Sequence, residues 1–124
     1  MPNIEDDFHP VNDGPGWVGA YGTITQFGGP NDPEDSGNTA SGFVTRIHAN
    51  YPYVALPIPV RKKYNLRWGM AVVLQNQAGV TVCGFLADLG PSASLMRVAD
   101  VSPILMKQLG GSGLMENVRV VFRP

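Results

Sequence analysis

Apolar and polar residues alternate over short runs of this chain and rarely fall at helical spacing. Within residues 17–27 the run YGTITQF (21–27) is rich in β-branched and aromatic residues and predicts a strand. Short strands are also predicted at 53–58 (YVALPI) and 70–75 (MAVVLQ). In 79–87 (GVTVCGFLA), Val80, Val82, Gly84 and Leu86 share one side, and Thr81, Cys83, Phe85 and Ala87 the other. Both sides are apolar, so this strand is expected to be buried on each. A brief strand follows at 96–99. The last, 117–123 (NVRVVFR), sets Val118, Val120 and Phe122 against a face that includes Arg119 and Arg123.

Only one helix is written clearly. Ser102 is a favoured N-cap, Pro103 a favoured first residue, Ile104, Leu105 and Leu109 give an apolar face, and Gly110 supplies the stop. Residues 28–42 (GGPNDPEDSGNTASG) are almost pure turn chemistry, and so long a loop in a small domain marks a functional or disordered segment. Residues 1–16, polar and broken by Pro10, Gly14, Pro15 and Gly16, read as a flexible acidic arm. Six or seven short strands with one small helix near the C-terminus predict a mainly β, closed, mostly antiparallel barrel over 17–124, a single domain. No internal repeat is visible in the sequence.

Composition agrees. Fifteen glycines and eleven prolines in 124 residues favour turns and short strands. At 44% hydrophobic and 15% charged residues, disorder is excluded. The single cysteine, Cys83, rules out an internal disulfide framework. No apolar run is long enough to insert in a membrane, and the acidic start lacks the pattern of an export signal. Residues 1–45 hold seven acids and no Lys or Arg, whereas 46–124 hold nine basic residues and three acids. That split reads as a solvated acidic tail beside a mixed surface, or as a groove with an acidic lip and a basic wall. The near-neutral balance, and basic residues scattered apart from Arg61-Lys62-Lys63, argue against a nucleic-acid partner.

Familiar catalytic and metal motifs are absent: there is no CxxC, HExxH, GxSxG or P-loop. His9 and His48 have no ligand spacing, and the carboxylates at 32–35 do not follow a calcium-loop pattern, so no metal or other cofactor is expected. Two carboxylates stand apart. Asp88 precedes Leu89-Gly90-Pro91 and Asp100 precedes Val101-Ser102-Pro103, each where a strand gives way to a turn. Their neighbours are apolar enough to desolvate a carboxyl group, the circumstance that lets an acid keep its proton toward neutral pH and act as a general acid. The competing readings are an Asx-type turn for Asp88, and turn formation with helix-dipole alignment for Asp100.

The runs Ala87-Asp-Leu-Gly-Pro91, Arg97-Val-Ala-Asp-Val-Ser-Pro103 and Leu109-Gly110 resemble the C-terminal signature of the RlpA-like double-psi β-barrel family. Thr39-Ala-Ser-Gly42 is similar to that family's Thr-Ala-x-Gly, Ala55-Leu-Pro57 to its Leu-Pro element, and 68–73 (WGMAVV) to its Gly-x-x-Val strand. The family takes in lytic transglycosylases, family 45-like glycoside hydrolases, and expansin and barwin-type wall proteins. The resemblance implies a six-stranded double-psi barrel with a polysaccharide groove. In it Asp88 would be the catalytic acid, Thr39 and Ser41 would line the groove, and Asp100 would be mainly a fold-signature residue. Tyr53 stands where the transglycosylases carry a histidine, and a tyrosine is a poor proton shuttle at neutral pH.

The resemblance implies activity on cell-wall glycan such as peptidoglycan, outside the cell or in its envelope. Asp88 would be general acid and base, with Asp100 or Asp35 as the available second carboxylate for ordinary hydrolysis. Trp17, Tyr21, Tyr53 and Trp68 are candidate platforms for sugar faces, with core packing as the competing role of each. The alternatives are an expansin-like module that binds glycan without cutting it, and a protein-interaction barrel of a secreted or delivery system.

Overall fold

The structure, a computed structural model, describes residues 3–28, 39–43 and 50–124. Its strands are β1 (His9–Pro10), β2 (Val18–Gln26), β3 (Tyr53–Leu56), β4 (Ala71–Gln75), β5 (Thr81–Leu89), β6 (Ala99–Val101) and β7 (Leu114–Phe122). They pair in the order β1-β2-β6-β3-β5-β4-β7, and β7 pairs again with β2, so β2 to β7 close a six-stranded barrel with β1 outside it. β2–β6 and β3–β5 are parallel; β6–β3, β5–β4, β4–β7 and β7–β2 are antiparallel. The chain is thus a mainly β, six-stranded double-psi barrel with a short helix, α2 (Pro103–Gln108), near the C-terminus.

The pairing map carries a two-fold relation between β2-β3-β4 and β5-β6-β7. Exchanging the two sets returns the same neighbours with the same directions, the parallel pair β2–β6 becoming β5–β3. The relation passes through the antiparallel pair Ala55–Asp100 on β3 and β6. Counting on from that pair, Pro57 and Ser102 are the N-caps of α1 (Ile58–Tyr64) and α2, and both helices exit through a left-handed residue, Asn65 and Gly110. The repeat lies in the pairing and the caps, and the side chains have diverged.

Period-two alternation fills the barrel. Across β2, β7 and β4 the row Ala20–Val120–Leu74 points inward and is buried. The next row, Tyr21–Arg119–Gln75, points outward and continues to Thr81 on β5. On the other flank Ile24, Val54, Leu86, Ala99 and Val101 enter the core. Gly84 has no room for a side chain: an added Cβ would lie 2.6 Å from the Pro52 carbonyl and 2.8 Å from Val54 and Leu105.

Four expectations need correction. Residues 3–16 are docked, not loose. Ile4 and Phe8 lie four apart in an acidic stretch and are both buried; Phe8 packs on Phe122 at 5.7 Å, and the Tyr64 hydroxyl donates to the Phe8 carbonyl at 3.0 Å. Burying a side chain of that size stabilises by about 1.5–3 kcal/mol. Two of the segment's four acids meet cations, Asp6 lying 3.9 Å from Lys63 and Asp13 pairing with Arg119. The strand predicted at 53–58 stops at Leu56, because Pro57 and Pro59 open α1 instead. The strand predicted at 96–99 forms at Ala99–Val101, after a turn in which Met96 is left-handed. β5 is not covered on both faces throughout, since Thr81 and Cys83 are exposed and only its second half is enclosed.

Candidate functional site

The outer face of β2-β6-β3-β5 carries the row Thr25–Asp100–Ala55–Asp88. Asp88 reaches that face through a register shift. Val54 pairs with Leu86 but Ala55 pairs with Asp88, so Ala87 is one extra residue in β5. Strict alternation from Leu86 would have turned Asp88 toward the core; the bulge turns it out. The chain then leaves β5 through Gly90 (φ 143°) and a cis Gly90–Pro91 bond, with the Gly90 N–H donating to the Leu56 carbonyl at 3.0 Å. That φ suits only glycine.

Asp88 is half-buried and fixed through one oxygen. Its Oδ1 accepts the Leu89 N–H at 2.8 Å and the Ala40 N–H at 2.9 Å, while its Oδ2 has no hydrogen-bond partner among the described residues. Ala40 is delivered by a turn that Thr39 and Ser41 build. The Thr39 hydroxyl donates to the Phe43 carbonyl at 2.7 Å and lies 3.0 Å from the Ser41 hydroxyl, which accepts the Phe43 N–H at 3.3 Å. The Ser41 N–H donates to the Ala87 carbonyl at 3.2 Å, laying the turn onto the bulge. Thr39 and Ser41 are therefore beside Asp88, and their hydroxyls hold the loop that grips it.

Asp100 is half-buried two strands away and accepts a hydrogen bond from the Thr25 hydroxyl. Its Cα and that of Asp88 are about 9–10 Å apart by strand spacing, with Ala55 between. A Cβ added to Gly90 would sit 3.6 Å from Asp100 Oδ2, so the Gly-Pro corner lies close to both carboxylates.

The aromatic candidates divide. Tyr53 is fully buried; its hydroxyl donates to the Phe27 carbonyl at 3.3 Å and its ring packs on Phe27 at 5.1 Å and Phe43 at 5.7 Å. It presents no face to solvent. Trp68 is half-buried against the core, with the Arg61 guanidinium 4.2 Å over its ring. Trp17 is also half-buried. Tyr21 is 70% exposed but stands in the row crossing β2, β7 and β4, away from Asp88. Asp35 and His48 lie outside the described residues, as does most of the 28–42 loop. Among the described residues no group of three or more His, Cys, Asp or Glu is placed to hold a metal ion.

Two contributors were not foreseen. The Ala40 backbone N–H leaves no side-chain trace in a sequence. Phe43 joins Tyr51 (5.7 Å) and Phe85 (5.2 Å) in an aromatic group next to the loop, with Tyr51 half-exposed. The spacing of Phe43, Tyr51, Tyr53 and Phe85 gives no periodic signal because they come from a loop and two strands.

Among solved structures, the barrel resembles the Streptomyces papain inhibitor, with a TM-score of 0.59 and 19% sequence identity over 85% of this chain and 94% of the inhibitor. At that identity the likeness extends to the fold alone. No protein-family model and no curated protein matches the sequence.

Proposed function

We propose that this barrel cleaves a cell-wall polysaccharide, peptidoglycan or a related glycan, with Asp88 as the single general acid and base. The observation that carries the reading is the hold on Asp88: one oxygen fixed by two backbone N–H groups, the other without a partner among the described residues, on an outward face beside a loop. The motif resemblance to RlpA-like barrels supports the substrate class and a place in the envelope or outside the cell. In its protonated form the carboxyl gives its proton to the glycosidic oxygen as the bond from that oxygen to the anomeric carbon breaks. The carboxylate then takes the proton of the same sugar's 6-hydroxyl as that oxygen bonds to the anomeric carbon. The acid is regenerated, no water is consumed, and the product is an anhydro sugar. Asp100, engaged by Thr25, is less available as the second carboxylate that ordinary hydrolysis requires.

A second reading has its own observation. The structural neighbour is named as an inhibitor of papain, so a barrel that binds a protein is the alternative. Wild type and Asp88→Asn are incubated with insoluble peptidoglycan, chitosan and cellulose, and soluble products are identified by mass spectrometry. Anhydro-ended products from wild type, reduced roughly 10²–10⁴-fold in the variant, support the proposal. Sedimentation with the polymer and no products points to a binding module, and inhibition of papain without glycan binding points to the protein binder.

A further inference from the structure

Tyr21 is the most exposed of the large hydrophobic residues described, and it sits in mid-strand rather than at a loop tip. It separates two adjoining concavities of about 260 and 390 Å³, with Arg119 as the other shared wall. The guanidinium of Arg119 is pinned by Asp13, Nη1 donating to Oδ2 at 3.1 Å and Nη2 to Oδ1. That hydrogen bond holds the Asp13 carboxyl below its ordinary range, so the pair is ionised and neutral overall at neutral pH. Gln75, Gln77 and Asn117 complete the larger concavity. The surface thus offers one bare ring face, side-chain amides able to donate and accept, and an immobilised cation whose charge is balanced.

We propose that this flank is a second, anchoring site for an uncharged stretch of saccharide chain, separate from the Asp88 corner. A pyranose ring has an apolar C–H face that stacks on an aromatic side chain and a rim of hydroxyls that pair with amides. The Asp13–Arg119 pair adds no net charge and the smaller concavity adds the Asp7 carboxylate, so an anionic polymer would find nothing here to draw it. The two concavities adjoin at Tyr21 and Arg119, which suits a chain lying along the surface. The ligand class rests on the glycan reading above; the site needs nothing from Asp88, whose row runs across β6 and β3 on the other flank. Holding the polymer there raises its effective concentration at the cleaving corner.

Isotope-labelled protein is titrated with penta-N-acetylchitopentaose and with cellopentaose while backbone amide shifts are followed. Saturable shifts at Tyr21, Gln77, Asn117 and Arg119 are expected with at least one of them. Tyr21→Ala weakens that binding about tenfold, and Tyr21→Phe, which keeps the ring, restores it. With its side chain in solvent, Tyr21→Ala keeps the fold, which the unshifted amides of the core strands verify. No shifts in this row with either sugar, or an affinity unchanged by Tyr21→Ala, overturns the anchor. Product release from insoluble glycan judges the cleavage reading separately: products without shifts in this row remove the anchor alone, and shifts without products remove the cleavage alone.

Discussion

Thr25 and Asp88 occupy the same place in the two halves of the barrel, each facing across a parallel pair the residue through which the two-fold relation passes. In the first half the pair is Thr25 and Asp100, and hydroxyl meets carboxylate. In the second it is Asp88 and Ala55, and the carboxylate meets a methyl group. Asp88 therefore takes its donors from the backbone, one from its own strand and one from the loop at Ala40, and among the described residues one oxygen is left over. The second half also carries Ala87, an extra residue absent from the in-register first half. One corner closes on itself and holds the sheet together; the other stays chemically open.

The widest separation between the corners is expected in rate. Asp88→Asn keeps an Oδ1 acceptor for both N–H groups, so the roughly 10²–10⁴-fold loss of product comes with a stability change of less than about 1 kcal/mol. Thr25→Val does the reverse. It keeps the shape and removes the donor to Asp100, at a cost of about 1–2 kcal/mol by urea unfolding, with turnover per folded molecule within about threefold of wild type. A loss of turnover in Thr25→Val as deep as in Asp88→Asn would erase the distinction.

A smaller change sharpens it. Ala55→Ser puts into the second corner the hydroxyl that the first already has. Ala55 is 1% exposed, so the added oxygen has little room except toward its neighbours. Donation to the unpartnered oxygen of Asp88 would compete with substrate, and turnover is expected to fall about tenfold, the worth of one hydrogen bond. An unchanged rate would mean that the methyl of Ala55 is not what leaves Asp88 open.

Much of the barrel was legible because its signals are local. Runs of β-branched, aromatic and other apolar residues located β2 and β4 to within a few residues, alternation located β5 and β7 as closely, and Ser102-Pro103 with Gly110 located α2. α1 was missed because Leu56-Pro57-Ile58-Pro59-Val60 reads as strand by its β-branched residues, whereas its two prolines mark a first helical turn. Ile4 and Phe8 were hidden in a stretch whose acids dominate its composition. At the candidate site, Asp88 was singled out by its place at a strand end. Its outward aim depends on the bulge at Ala87, and alternation alone assigns it to the wrong face. Tyr53 and Tyr21 were indistinguishable as isolated tyrosines; only closure of the sheet buries the first and bares the second.

The caps offer the mildest test of the two-fold relation. Ser102 begins α2 with a side chain that accepts from the Leu105 N–H, whereas the equivalent Pro57 begins α1 with no side-chain bond. The Ser102 contact is 3.5 Å, at the long end for such a bond, and the residue is fully buried. Ser102→Ala is therefore expected to cost about 0.5–1 kcal/mol, the low end for an N-cap, because a bond that long gives up little when it is lost. The loss should appear in urea unfolding and leave glycan turnover untouched, since α2 follows the closed corner. A loss above about 2 kcal/mol would show that Ser102 does more than cap, and that the two helix starts differ by more than one weak hydrogen bond.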